Sequence, residues 1–433
     1  MSVARDLLQF INGCVSPFHG ISALRAMLDK AGFTALTEAE PWTLTPGKGY
    51  YVTRNDTSVI AFRLPAGVWR GFLMSAAHCD SPVFKLKENP ETEKLGAYTC
   101  ANVEKYGGML LAPWFDRPLS VAGRVMVRQG TGPRAALVSV DRDLMVIPSL
   151  AIHADRNAND GASYNPQTDM QPLLGSETAK GKLHALIAET LGIGPGDILG
   201  SDLYLYLRQQ GTVLGLDEEY LCAPRLDDLM CAYTTVQGFL AGDNASMIPL
   251  CCVFDNEEVG SSTRQGAAST FLRDVLERIA AGTGKDADAL RAALAASFMV
   301  SADNAHAIHP NHPEKYDGDN CCYMNKGVVI KHNANQRYAT DAYSAAVFRA
   351  VCEKASVPCQ TFANRADAPG GSTLGNISIR QVSVPTVDVG LAQLAMHSCY
   401  ETAGTADADF MIRAMQTYFS ADYRGDGSVF TLG

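Results

Sequence analysis

The chain has 433 residues, more than one hydrophobic core supports, since single cores stop growing at about 250–300 residues. Hydrophobic residues make up 47% and charged residues 19%, which excludes a disordered chain and fits a packed soluble enzyme. The net charge of −10 argues against a general nucleic-acid binder, and no apolar run approaches the roughly 20 residues that span a membrane.

In chain order, residues 1–12 predict an amphipathic helix that lacks the uninterrupted apolar stretch of an export signal. Cytoplasmic residence is therefore expected. The 12 cysteines, with adjacent pairs at Cys251-Cys252 and Cys321-Cys322 and no CxxC spacing, read as reduced thiols, most of them buried. The sequons Asn244-Ala-Ser246 and Asn376-Ile-Ser378 then carry no glycan. The apolar strand Phe72–Ala77 ends in His78-Cys-Asp80. On a regular strand His78 and Asp80 face the same way, which places Asp80 to hold the second imidazole nitrogen of a metal-bound His78.

From residue 89 to 221 the pattern changes. Leu119–Arg128 and Asp202–Arg208 alternate as strands between Gly and Pro turns, and the segment reads as a β-rich insertion. Within it, Ala151-Ile-His153-Ala-Asp-Arg156 reads on its own as a surface loop. Arg225-Leu-Asp227-Asp228 then precedes a helix-like run over residues 229–240.

The strand Leu250–Phe254 runs directly into Asp255-Asn-Glu-Glu-Val-Gly260. Charged residues are among the least often buried unless paired or bound to metal. Adjacent residues on a strand point to opposite faces, so one of Glu257 and Glu258 could hold an ion while the other faces water. The alternative is a strand that exits to solvent and an acidic cluster that caps a turn. Ala280–Asp288 reads as a loop before a helix. Ser297–Val300 ends in Ser301-Ala-Asp303-Asn-Ala-His306. Lys331 reads on its own as a solvated loop cation. Residues 365–375 suggest a Gly-rich helix start suited to an anion, without the P-loop ending. Val382–Val389 leads through a short loop to Met396-His397-Ser398.

Each His or Asp alone is most simply a cap or a hydrogen-bonded residue. Together they bring two His and several carboxylates, with no thiolate, to the carboxyl ends of strands. That donor set suits a pair of borderline divalent ions, and two metals near one another need a bridging carboxylate. A base must then lie within hydrogen-bond reach of the attacking water, and Glu257 beside a liganding Glu258 meets that need by adjacency. The residues point to a dinuclear metallohydrolase.

His78-x-Asp80-Ser-Pro, Arg225-Leu-Asp227, Asp255-Asn-Glu-Glu-Val-Gly260, Ser301-Ala-Asp303-x-Ala-His306, residues 331–340 and Ala395-Met-His397-Ser398 fall in order along nearly the whole chain. In these motifs the sequence resembles the aspartyl aminopeptidase family of dinuclear zinc exopeptidases. The resemblance implies an α/β fold: a mixed-sheet zinc-peptidase catalytic domain (residues 1–88 and 222–433) with helices on both faces. A β-rich dimerisation domain (residues 89–221) interrupts it. It implies two Zn2+ per subunit, with Co2+ or Mn2+ as substitutes. Asp227 would bridge them, His78 and Asp303 would complete one site, and Glu258 and His397 the other. Glu257 would be the general base, His153 would reach the substrate of a neighbouring subunit, and Lys331 would contact an acidic substrate side chain. The implied substrates are peptides with a free N-terminus, with Asp or Glu preferred there. The implied assembly is a homo-oligomer of dimers built into a dodecamer. Position 228 is Asp where relatives often carry Asn, and Asn376 stands where they usually carry Pro. The same ligand set also serves a neutral or broad aminopeptidase and a metallo-deacylase. A non-catalytic assembly protein would have lost a ligand or the base, and none is missing.

Overall fold

In the computed structural model, which describes residues 2–130 and 132–433, apolar spacing explains the first element. Helix Val3–Gly13 buries Ala4, Leu7, Leu8 and Ile11, the one-face spacing of an amphipathic helix; Met1 lies outside the described residues.

A nine-stranded mixed sheet forms the larger layer. Its spatial order is Thr34–Leu36, Gly49–Arg54, Ser58–Arg63, Ile248–Phe254, Phe72–His78, Phe298–Ala302, Thr386–Gly390, Val328–His332 and Cys359–Ala363. The four strands from Ile248–Phe254 to Thr386–Gly390 run parallel, and every residue in them is buried. Strands covered on both faces read as continuous apolar runs, which these do. Side chains alternate between two cores. Leu73, Ala77 and Val253 join residues of helices Pro17–Lys30, Leu226–Ala241, Ala342–Lys354 and Asp407–Ser420. Phe72, Met74 and Leu250 join residues of helices Phe271–Gly282 and Ala287–Ala295 on the other face.

The loop read before a helix over residues 280–288 is present but shorter, residues 283–286, ahead of helix Ala287–Ala295. The helix beginning at Phe271 continues to Gly282, because Val275, Leu276, Ile279 and Ala280 form one buried stripe; Asp286 caps the next helix.

Six antiparallel strands between Val83 and Leu207 form a second sheet with its own apolar core, onto which helix Lys182–Leu191 packs. The boundary expected after residue 88 falls inside strand Val83–Lys94, and the one after residue 221 inside strand Tyr220–Ala223. Among the described residues no helix is long and apolar enough to cross a membrane. All 12 cysteines are free, and eight are buried.

Tyr418, 1% exposed, ties the layers: its hydroxyl lies 3.0 Å from Met74 O and 2.8 Å from Phe298 O, on adjacent strands. Tyr418→Phe keeps the ring but removes the single O–H donor that faces both carbonyls, and should cost about 0.5–1.5 kcal/mol in denaturant unfolding. An unchanged midpoint and slope would show that the strands do not need this bridge.

Candidate metal centre

The predicted residues meet at the carboxyl ends of the four parallel strands. His78 ends its strand, and Asp303 directly follows strand Phe298–Ala302. Asp227 and Asp228 open helix Leu226–Ala241, but both have non-helical backbone angles, so the regular helix starts after them. His397 lies in the turn between strands Ala392–Leu394 and Glu401–Gly404.

Glu257 and Glu258 differ from the expectation in their backbone. The strand stops at Phe254, Asn256 takes a left-handed turn (φ 63°), and both glutamates sit in the single 3-10 turn Glu257–Val259. Asp80 is the physical reason: its carboxylate accepts from Glu257 N–H (3.1 Å) and Glu258 N–H (3.2 Å), drawing the chain away from sheet pairing. The same carboxylate accepts from the Tyr106 hydroxyl at 2.6 Å. His78 Nδ1 lies 3.0 Å from the Asp80 carbonyl and 3.4 Å from its carboxylate, so both Asp80 groups flank this ring nitrogen.

Asp227 stands between the two imidazoles. Its Oδ1 is 3.5 Å from His78 Nε2 and its Oδ2 is 3.4 Å from His397 Nε2. His397 Nε2 is also 3.4 Å from Glu258 Oε2, while its Nδ1 faces the Gly108 carbonyl at 2.7 Å. One ligand atom each from His78, Asp227, Asp228 and Asp303 lies within 4.8 Å of the others; the same holds for Asp227, Glu258 and His397, and for His78, Glu257 and Glu258.

Electrostatics sharpen this picture. Burial pushes the Glu257 carboxyl up to about 8; it also raises Glu258 well above the ordinary carboxylate range, with the negative Asp227 adding to the effect. Burial also works against an ionised Asp227, yet the facing imidazoles of His397 and His78 hold its carboxyl below the ordinary range. His397 is pushed up to about 9: burial opposes its charge, and Asp227 overrides that. Among the described residues, buried Asp227 Oδ1, Asp228 Oδ1 and Glu258 Oε1 have no hydrogen-bond partner. Orphaned carboxylate oxygens converging with two imidazoles, without a thiolate, fit a borderline divalent ion such as zinc.

Lys331 is no solvated cation. It is 2% exposed on strand Val328–His332, where Nζ donates to Asp303 O (2.7 Å) and lies 3.5 Å from Asp303 Oδ1. His153 lies in an exposed loop and joins none of these clusters within the chain. At the Gly-rich segment the helix is only Leu374–Ser378, and the anion met there is the protein's own Asp388, which accepts from the Thr373 hydroxyl at 2.7 Å.

Glu401 was not foreseen. Its two oxygens accept from Asp227 N–H (3.0 Å) and His397 N–H (2.8 Å), and burial pushes its carboxyl up to about 8. Its only sequence signal is a carboxylate four residues beyond His397, where a strand begins.

Residues 10–419 match the family model described as aminopeptidase I zinc metalloprotease (M18). A probable M18 family aminopeptidase 2 of Clostridium novyi (strain NT) is 40% identical over 425 residues, covering 96% of this chain and 98% of that one. The structure of the Ape4 and Nbr1 complex matches with a TM-score of 0.93 and 37% identity, over 96% of this chain and 85% of that one. The S. cerevisiae mApe1 dodecamer matches with a TM-score of 0.86 and 27% identity, over 96% of each chain.

An acid whose pKa rises on folding keeps its proton more tightly in the native state, so stability is lost as pH climbs from the ordinary value to the folded one. For Glu257 that window runs from 4.5 to about 8. Chelator-stripped protein should therefore lose Tm across this range, and added Zn2+ should flatten the slope. A Tm indifferent to zinc at every pH would contradict a metal role for the cluster.

Proposed function

The chain belongs to the M18 family of zinc aminopeptidases, and from that premise we propose that it removes N-terminal Asp or Glu from peptides at a dinuclear zinc centre. The observation that carries this reading is the Asp227 carboxylate, with one oxygen towards His78 and the other towards His397. His78 and Asp303 would hold one Zn2+, Glu258 and His397 the other, and Asp227 both; Co2+ or Mn2+ could substitute. When bound, zinc supplies a Lewis acid for the scissile carbonyl and a lowered pKa for water.

The chain's own residues do the rest. Glu257 belongs to the cluster with His78 and Glu258 but is not needed as a ligand, so its carboxylate is free to take a proton from the attacking water. It then passes that proton to the leaving amine. Asp80 orients both sides of this step, holding the backbone of Glu257 and flanking the His78 ring. Five carboxylates against two imidazoles also favour a substrate that presents a free α-ammonium group.

A cavity of about 210 Å3, lined by His306, Lys315, Phe362 and Arg365, begins three residues beyond Asp303. Asp317 also lines it, but Lys315 and Arg365 outnumber that carboxylate, which supports an acidic N-terminal residue. Lys331 adds positive charge at Asp303, with Nζ 3.5 Å from its Oδ1. The six-stranded sheet would serve as the dimerisation domain. His153, exposed and outside the ligand groups found among the described residues of its own chain, would reach the substrate of a neighbouring subunit, with dimers assembling into a dodecamer; the S. cerevisiae relative is itself a dodecamer. Twelve free thiols support a cytoplasmic location.

Initial rates on amides of N-terminal Asp, Glu, Leu and Ala, with protein of known zinc content, test the specificity; faster Leu or Ala cleavage would overturn it. Glu257→Gln should retain zinc and lose about 10²–10⁴-fold in kcat. His153→Ala alone should also be impaired, yet co-expressed Glu257→Gln and His153→Ala subunits should recover activity, because some sites then combine both intact residues. No recovery at any ratio would place His153 outside the neighbour's site.

A further inference from the structure

Away from the metal cluster, several buried donors have no acceptor among the described residues, Arg124 Nε–H included, and two of them, Arg225 Nε–H and Trp114 Nε1–H, stand at one place. Buried N–H groups in native proteins are nearly always paired with protein, water or an ion, so each exception calls for a partner. Both side chains line the same cavity of about 30 Å3, where the six-stranded sheet meets the start of helix Leu226–Ala241.

On this mostly apolar wall, Arg225, Trp114 and Ser398 keep donor hydrogens that the protein does not take up. The Arg225 guanidinium makes one hydrogen bond to the protein, from Nη2 to Ile11 O at 3.1 Å, and among the described residues no carboxylate is within ion-pair distance of it. Ser398, on the same wall, accepts from Tyr400 N–H at 3.3 Å and keeps its own hydroxyl proton to give. Glu401 also lines the cavity, and its oxygens already accept from the N–H groups of Asp227 and His397 and from Gln393 Nε2 at 3.4 Å. A water needs about 10–15 Å3 of such space, so the volume suffices for one larger monatomic ion. Water would also have to donate two protons, and the side chains that face it offer donors. An acceptor carrying negative charge satisfies Nε–H, Nε1–H and the guanidinium charge together.

We propose that this cavity binds a small monovalent anion of the chloride class, held between Arg225 and Trp114. The ion joins the one-turn helix Ala112–Trp114 of the inserted segment to the residue that precedes Leu226 and Asp227. It is thus a structural tie between the two sheets, outside the zinc ligands.

The test uses the zinc-loaded protein in sodium gluconate, with gluconate replaced stepwise by chloride or bromide at constant ionic strength. Tm should rise saturably by about 2–4 °C. Crystals exchanged into bromide should show an anomalous peak beside Arg225 Nε and Trp114 Nε1. Arg225→Gln should abolish the rise, and Trp114→Phe, which keeps an aromatic ring in the core, should shift half-saturation to higher halide. Should Arg225→Gln fail to fold, Trp114→Phe decides. Equal Tm in gluconate and halide, an unshifted titration in Trp114→Phe, or bromide crystals with no anomalous signal and only water density there would overturn the proposal.

Discussion

The Asp227 carboxylate occupies a place that a folded chain ordinarily avoids: buried, beside another aspartate, with one oxygen left without a hydrogen-bond partner. Such a group persists only if its surroundings fix it and supply positive charge. The backbone is fixed from several sides. Glu401 accepts from its N–H, the Ser81 hydroxyl donates to its carbonyl at 2.7 Å, and Asn304 Nδ2 donates to the preceding carbonyl of Leu226 at 3.0 Å. Two imidazoles supply part of the charge. The first turn of helix Leu226–Ala241 gives up helical geometry at Asp227 and Asp228, so the carboxylate can meet both.

Crowding of like charge is the second constraint. Burial raises Asp228, Glu257, Glu258 and Asp303 above the usual carboxylate range, and neighbouring carboxylates add to this. Lys331 offsets one of them, and its own charge survives burial because Asp303 lies beside it. Cations bound here are therefore part of the folding free energy as well as the chemistry. The parallel strands explain why the cluster forms at this edge: their carboxyl ends coincide, so chain segments more than 300 residues apart in sequence are delivered to one place.

Much of this was legible in the sequence, and for a definite reason. Apolar runs that end abruptly in His, Asp or Glu mark both the buried parallel strands and the residues at their ends, so His78, Glu257, Glu258 and Asp303 announce themselves together. What escaped notice depends on contacts with no local trace. Glu401 holds Asp227 and Tyr106 accepts from Asn256 across long stretches of chain, and neither sits at the end of an apolar run. Lys331 was ambiguous because a lysine in a strand looks the same whether its ammonium reaches water or a buried aspartate. The turn at Asn256 escaped because a strand pattern does not reveal a backbone captured by a distant carboxylate.

The inserted segment closes the centre as well as interrupting it. The Tyr106 hydroxyl donates to Asp80, and Gly108 O faces His397 Nδ1, so residues of the second sheet's edge orient groups at both ends of the cluster. Gly107 shows how tight this join is. Its φ of 77° is one that L side chains rarely adopt, and a Cβ there would come 3.1 Å from Glu258 Cβ. A side chain at that position would press on a residue of the metal cluster itself. The insertion therefore cannot be moved without moving the metal cluster: a shift at this junction alters Asp80 through Tyr106, His397 through Gly108, and Glu258 through Gly107. Whatever fixes the insertion against the larger sheet fixes the geometry of the centre too.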